Sequence, residues 1–573
     1  AAMCAHLVDA QSNAADRAAD FDALLAVLET HRSFVAARFD GVFGFDEEET
    51  AVDAEDKRPS GVDLWSAFSD ASPVYARDEA AAAQVRAQLA ASGFDPPDGA
   101  FARLAALARS ARLRTIAKAT RARLDSLMPR VIESAGTEPD PTATLGRWFD
   151  LIEAIAGRSA YLALLEEFSV ARHAVTRLLS ASPWAAQYLT RHPLLLDDLI
   201  DARDAEQGPR DPAAWAAHWR QVAATLSAQL DEAAPDAERQ MDVLRETHHA
   251  ETFRLLIDDL EGLLTIEALS DQLSALADLI LEAAIGSCWS SLARQGIDER
   301  KQGAPTFAVI GFGKLGGKEL GYASDLDLVF LYDDRDEADQ GLAVQPYARF
   351  AQRLNLWLTA RTTAGALFDI DLRLRPDGAA GLVVSSFASW SAYERREHDV
   401  GAWTWEHQAL TRARFCAGDR ALGDAFEAGR IAILSDRAPD EEGRARLRAD
   451  IVAMRQKMHD GHPNRSGLFD LKHDEGGMVD IEFSVQYLVL AFGNVHRELL
   501  ANAGNIALLA RAADAGLIDG ADAHGAADAY RVYRARQHAS RLADPMARAA
   551  RVDGDAFASE RAVVRRLWDA LFG

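Results

Sequence analysis

The sequence predicts a mostly α-helical protein with one embedded α/β domain. Residues 1–300 are dominated by Ala, Leu, Arg, Asp and Glu with few β-branched runs, which reads as helix after helix. At "APTFAVIGFG" (304–313) the pattern switches to short β-type runs, and beyond residue 420 it returns to helix.

Composition narrows the function classes. The chain has 573 residues, room for roughly three to four domains, and 49% of them are hydrophobic, enough for real cores. Its 88 acidic and 62 basic residues give a net charge of −26, which argues against a nonspecific nucleic-acid binder. Cys4, Cys288 and Cys416 lie too far apart for a disulfide framework or a zinc-ligand pair, so a reducing cytoplasm is the expected setting. The most apolar helical stretch, Leu273 to Leu292, is interrupted by Asp278 and Glu282; no membrane span is expected.

In the first helical region, Gly-, Pro- and Asp-rich breaks fall at 58–63, 93–99, 134–142 and 206–212. They separate either helices of one superhelix or true domains. A clear helix follows in "SDQLSALADLILEAAIGSCWSSLARQG", with Ser270 as expected N-cap, an apolar face of Leu273, Leu276, Ala277, Ile280 and Ala284, and Gly296 as its stop. The β-type runs are "TFAVIGF", "DLDLVFLY", "LFDIDLRLR" and "GLVVSS", with a helix predicted at "YARFAQRLNLWLTARTT". The last region contains "GGMVDIEFSVQYLVLAFG", with an apolar stripe of Ile481, Val485, Leu488 and Phe492.

The chemistry concentrates in "VIGFGKLGGKELGYASDLDLVFLYDD" (309–334). "GFGKLG" matches a dinucleotide turn, yet another strand follows too soon for the helix that fold needs. A phosphate-binding P-loop fails as well, because Glu319 stands where Ser or Thr would follow Gly317-Lys318. Strand alternation puts Asp325 and Asp327 on one face and Leu326, Leu328 and Phe330 on the other. Two adjacent carboxylates repel unless a cation lies between them, and a hard divalent ion is the usual partner. In "DIDLRLRPDG" the same alternation groups Asp369, Asp371, Arg373 and Arg375, a face suited to metal plus phosphate.

These motifs resemble the polymerase-β type nucleotidyltransferase fold, here flanked by helical bundles. With "AWTWEHQALTRAR" and "HDEGGMVDIEFSVQYLVL" following in order, they closely resemble the glutamine synthetase adenylyltransferase family, the bifunctional adenylyl-transferase/adenylyl-removing enzymes. Weaker similarity extends through "SPWAAQYLTRHPLLLDDLID" and "DVLRETHHAETFRLLIDDLEG". The resemblance implies the C-terminal, AMP-adding half with its regulatory region, the AMP-removing half being absent; "LETHRSFVAARFDGVFG" (28–44) looks like that half's tail. The expected division is a helical tail and linker at 1–115, a helical regulatory region at 116–296, a catalytic domain at 297–418 and a helical bundle at 419–573.

The family reaction joins AMP from ATP to a tyrosine of glutamine synthetase and releases diphosphate. The resemblance assigns Asp325, Asp327 and Asp371 to two Mg²⁺ or Mn²⁺ ions, with Asp369 the weaker choice. It expects Gly316, Gly317 and Ser324 to cradle phosphates with Lys314 nearby, a solvated loop lysine being the competing reading of Lys314. Arg373 and Arg375 either bind diphosphate or hold the carboxylates. Arg412 and Arg414 read as ordinary helix-surface ion pairs. Asp480 and Glu482 either favour a helix dipole or lie near the site, and His459, His462 and His473 read as loop residues. Partners expected from the family are glutamine synthetase, a PII signal protein and glutamine as effector. A uridylyltransferase of a PII-type protein and a catalytically dead binding module are the alternatives.

Overall fold

The computed structural model describes residues 61–69, 78–193, 195–196, 211–294, 304–333, 340–376, 378, 381–397, 401–436, 440–544 and 550–573. The 28–44 stretch, Cys4 and the expected helix stop at Gly296 lie outside the described residues.

The breaks at 93–99 and 134–142 separate helices that share a core, while residues 58–60 and 206–210 of the other two breaks lie outside the described residues. Lys118–Gly136 ends where the 134–142 break begins, and Pro141–Ile155 starts on Asp140, whose carboxylate accepts from the Ala143 amide at 3.0 Å. Leu89, Leu104, Leu127, Trp148 and Leu179, drawn from five helices, are buried together. Three longer helices follow: Pro212–Ala233, Ala237–Leu260 and Ile266–Arg294. The last begins before the expected cap. Thr265 accepts from the Ala268 amide at 3.2 Å, whereas Ser270 is buried inside the helix and donates to Ile266 O at 2.8 Å. Long and apolar enough to cross a membrane by composition, this helix instead packs against the two preceding helices, the Gln340–Thr359 helix and the sheet.

Its two acidic interruptions have work there. Asp278 takes a two-pronged ion pair from Arg414 at 2.7 and 2.9 Å, and Glu282 accepts from the Gly418 amide at 2.7 Å. Arg414 is buried, which corrects its reading as a surface ion pair.

The sheet consists of β1 (Phe307–Gly311), β2 (Leu326–Tyr332), β3 (Ile370–Asp371), β4 (Ser385–Ser386) and β5 (Arg414–Gly418). β1 pairs antiparallel with β2 on one side and β5 on the other, while β3 and β4 run parallel to β2 along its outer edge. β1 is buried on both faces, hence its unbroken apolar run. One face, with Leu326, Leu328 and Phe330, joins the core of the preceding helices; the other, with Val329 and Leu331, joins that of the C-terminal helices.

The predicted strand "LFDIDLRLR" is realised only at Ile370–Asp371. Arg373 to Pro376 turn away, with Arg375 bonded to Leu372 O and to Gly381 O at 3.3 Å. The expected shared face of Asp371, Arg373 and Arg375 therefore does not form. The Met478–Phe492 helix is buried on nearly every side rather than along one stripe, its polar Asp480, Ser484 and Gln486 included. Cys288 and Cys416 are both free thiols.

Candidate active site

β2 and β3 set the geometry. Asp327 and Asp371 are register partners on adjacent parallel strands, so their side chains share a face. Alternation along β2 places Asp325 on that face too, with Asp325, Asp371 and Arg373 lining one shallow cleft. Burial raises the Asp327 carboxyl to about 6, and the charges of Asp325 and Asp371 add to the shift. Lys472 and Arg412 oppose it.

These donors suit a hard divalent cation, but they are not gathered into a ready cage. Among the described residues, no group of three or more His, Cys, Asp or Glu converges as a metal site. Asp371 is engaged by Arg373 instead, through Nε at 2.8 and 3.0 Å, through Nη2, and through its amide at 2.8 Å. This pairing holds the Asp371 carboxyl below the usual range. The Arg373 side chain is 80% exposed, so it can leave Asp371 without disturbing a buried contact. A cation that binds all three carboxylates must displace it.

The turn between β1 and β2 behaves differently from expectation. The Gly316 and Gly317 amides are already spent within it, on Phe312 O at 2.9 Å and Gly313 O at 3.1 Å. A Cβ at Gly316 would stand 2.2 Å from Arg412 O, and one at Gly317 would stand 2.5 Å from the Arg412 guanidinium. Both glycines thus permit close packing rather than presenting amides to phosphate. The glycine that touches the carboxylates is Gly313, at φ +53, where a Cβ would lie 2.1 Å from Asp327 Oδ2. Ser324 closes the end of the turn, its hydroxyl accepting from the Gly321 amide at 3.2 Å.

Lys314 is not a solvated loop residue. Its ammonium donates to Gln537 Oε1 at 3.2 Å, and burial, with Lys472 and Arg534 nearby, lowers it to about 8. Asp325 and Glu482 act on it in the opposite sense. The charges of Lys472 and Arg412 thus act on Asp327, while Arg373 pairs with Asp371.

Behind the turn lies a buried polar network. Glu319 accepts from the Asn505 amide at 2.7 Å, Asn505 Nδ2 at 3.0 Å, Tyr530 OH at 2.9 Å and the Arg412 guanidinium. Arg412 also faces Glu482 at 3.6 Å, and Arg534 donates to Glu319 O at 2.8 Å and Ser270 Oγ at 2.7 Å. Arg412 is buried, so its surface-pair reading is corrected as well. Asp480 is buried too and takes Arg455 and the Gly476 amide, at 2.7 Å, as partners. His462 stacks on His473, ring centres 4.3 Å apart, away from any metal cluster among the described residues.

Sequence reasoning missed Gly313, Lys472, Glu319, Asn505, Tyr530 and Arg534. One signal was available: Tyr530 and Arg534, four residues apart, share a helix face with Gln537. Glu319 carried none, because its partners lie far away along the chain.

Residues 173–429 match the family model for glutamate-ammonia ligase adenylyltransferase. The chain is 47% identical over 555 residues to the bifunctional glutamine synthetase adenylyltransferase/adenylyl-removing enzyme of Ralstonia nicotianae, a match covering 97% of this chain and 54% of that protein. The enzyme of the same description from Aromatoleum aromaticum is 48% identical, with the same two coverages, 97% and 54%. That from Burkholderia mallei is 45% identical over 97% of this chain and 57% of the relative. The chain spans about half the length of the curated relatives it matches. By these matches the chain belongs to the glutamine synthetase adenylyltransferase family.

Proposed function

We propose that this chain transfers AMP from ATP to a tyrosine hydroxyl of glutamine synthetase, releasing diphosphate, on a polymerase-β type nucleotidyltransferase core. The observation that carries this reading is the register of Asp327 with Asp371, with Asp325 on the same face and Gly313 pressed against Asp327. Three carboxylates gathered on one face repel one another and are costly there unless a cation lies among them.

Mg²⁺ or Mn²⁺ held by Asp325, Asp327 and Asp371 would supply Lewis-acid activation of the hydroxyl and neutralise charge on the departing diphosphate. The protein's own residues do the rest. Lys314 and Lys472 lie on the turn side and would hold the triphosphate by charge. Ser324, at the mouth of the turn, is a further phosphate contact. The tyrosine oxygen attacks the α-phosphorus, the bond to the diphosphate oxygen breaks, and the hydroxyl proton passes to Asp371 once Arg373 has withdrawn. Freed from Asp371, the exposed Arg373 would offer its charge to the phosphate being transferred, with Arg375 behind it in the turn. A tyrosine hydroxyl has an ordinary pKa near 10, so activation is needed at neutral pH. The family resemblance also makes a PII-type signal protein and glutamine the proposed regulators, in a cytoplasmic setting.

The test is incubation of the chain with labelled ATP, Mg²⁺ and unmodified glutamine synthetase, followed by mapping of the labelled residue. One labelled tyrosine is expected, and Asp325→Asn and Asp327→Asn should each abolish it. Label passing from UTP to a PII protein would replace this reading with uridylylation. ATP binding without turnover would leave a binding module.

A further inference from the structure

We propose that the cleft bounded by Trp184, Tyr188, Arg191, Gln221, Arg361 and Asp369 receives the tyrosine-bearing segment of the acceptor protein; this rests on the transfer reaction proposed above.

Position is the first argument. The cleft, of about 1210 Å³, lies between the Pro183–Arg191, Pro212–Ala233 and Ala237–Leu260 helices and the 361–369 loop that leads into β3. Asp369 lines both this cleft and the shallow one that holds Asp325 and Asp371, so the two adjoin there. The strand order β1–β2–β3 puts the glycine turn on one side of the carboxylates and this cleft on the other. An in-line displacement needs its nucleophile opposite its leaving group. With the diphosphate on the turn side, the nucleophile approaches past β3.

Size and chemistry agree. Pockets for small molecules occupy about 300–1,000 Å³, and this cleft is larger. Trp184 and Tyr188 stack with centres 5.4 Å apart and form an aromatic wall. Gln187, Gln221 and Gln229 offer amides that suit a peptide backbone. Glu246 is taken by Arg239 at 2.9 Å and Glu251 by His218 at 2.8 Å. Arg191 and Arg361 are exposed and have no ion-pair partner among the described residues. The cleft therefore favours a segment carrying carboxylates beside its tyrosine.

The rim is also held rigid. Arg245, fully buried, donates to Gly365 O at 3.1 Å and Trp357 O at 2.9 Å, while Asp242 accepts from Thr363 Oγ1 at 2.9 Å. His249 Nε2 meets Ala366 O at 3.1 Å. One helix thus fixes the loop that forms the cleft wall and aims β3, as precise presentation of a nucleophile requires.

The experiment compares the wild-type chain with the double variant Arg191→Glu, Arg361→Glu, using Mg²⁺, ATP and unmodified glutamine synthetase. The KM for glutamine synthetase should rise roughly tenfold or more, while Mg²⁺-dependent ATP affinity without acceptor stays the same. A photo-crosslinking residue at Gln221 should couple to the acceptor near its tyrosine. An unchanged acceptor KM overturns the proposal, as does a matching loss of ATP affinity, which would make the cleft a nucleotide site. Crosslinking to a remote part of the acceptor overturns it too. Failure of the wild-type chain to label glutamine synthetase would instead strike the transfer reaction itself, and is read before the variant.

Discussion

Gly313 and Asp327 occupy each other's space, and this contact makes a direct test of the site. Gly313→Ala would drive a methyl group into Asp327 Oδ2 at a backbone φ of +53 that disfavours any side chain. AMP transfer should fall at least about a hundredfold, as for other misplaced reacting groups, while the circular dichroism spectrum remains helical. Asp327 itself carries a stability cost. Its carboxyl, raised to about 6 from an ordinary 3.8, keeps its proton in the folded state when the unfolded chain has already lost it. The contribution of Asp327 to stability is thus fullest below pH 3.8 and is lost as pH rises through about 6. In metal-free protein at pH 7.5, Asp327→Asn should therefore raise stability, by about 2–3 kcal/mol. Urea unfolding across pH would show the difference vanish at acid pH. A variant less stable than wild type at neutral pH would mean that Asp327 is already neutralised by a fixed partner.

At the scale of elements, one buried network joins four separate segments. Glu319 from the β1–β2 turn, Arg412 just before β5, Glu482 from the Met478–Phe492 helix and Arg534 from the Gly520–Ala543 helix meet behind the carboxylates. Removing one charge leaves the other buried and poorly compensated. Glu319→Gln should destabilise the chain by about 3–5 kcal/mol, read as a lower urea midpoint, and should impair AMP transfer through the turn. The sequence showed each of these motifs but not their meeting. Arg412 looked like a surface residue because nothing local to "LTRARF" announces an acid 93 residues away. Alternation served well along β2, where both faces are packed, and failed beyond Asp371. There Arg375 finds backbone acceptors in a turn, and among the described residues no neighbouring strand holds the chain extended.

At the scale of the whole molecule, the sheet has no core of its own. Its Leu326–Phe330 face shares a core with the preceding helices and with Gln340–Thr359, whose Phe350 meets Phe307 with ring centres 4.8 Å apart, and its Val329–Leu331 face is covered by helices that follow. Asp278 and Glu282 then fasten the preceding helix to β5. A fragment of residues 297–573 should therefore expose the apolar surface of Gln340–Thr359 and β5 that Ile266–Arg294 covers, aggregate and lack a cooperative melt. Restoring residues 212–296 should recover one; a cooperatively folding 297–573 fragment would show the sheet to be self-sufficient. The alternation of helix, short strands and helix was readable from residue types alone. How the flanks share the sheet was not, because that depends on which apolar faces meet rather than on where they occur along the chain.

The central claim is that Asp325, Asp327 and Asp371 together bind divalent cation beside the triphosphate. Mn²⁺ titration followed by electron paramagnetic resonance, with a non-hydrolysable ATP analogue present, tests it most directly. The account predicts two ions per wild-type chain and loss of at least one in each of Asp327→Asn and Asp371→Asn. Two ions retained in both variants, at unchanged affinity, would contradict it.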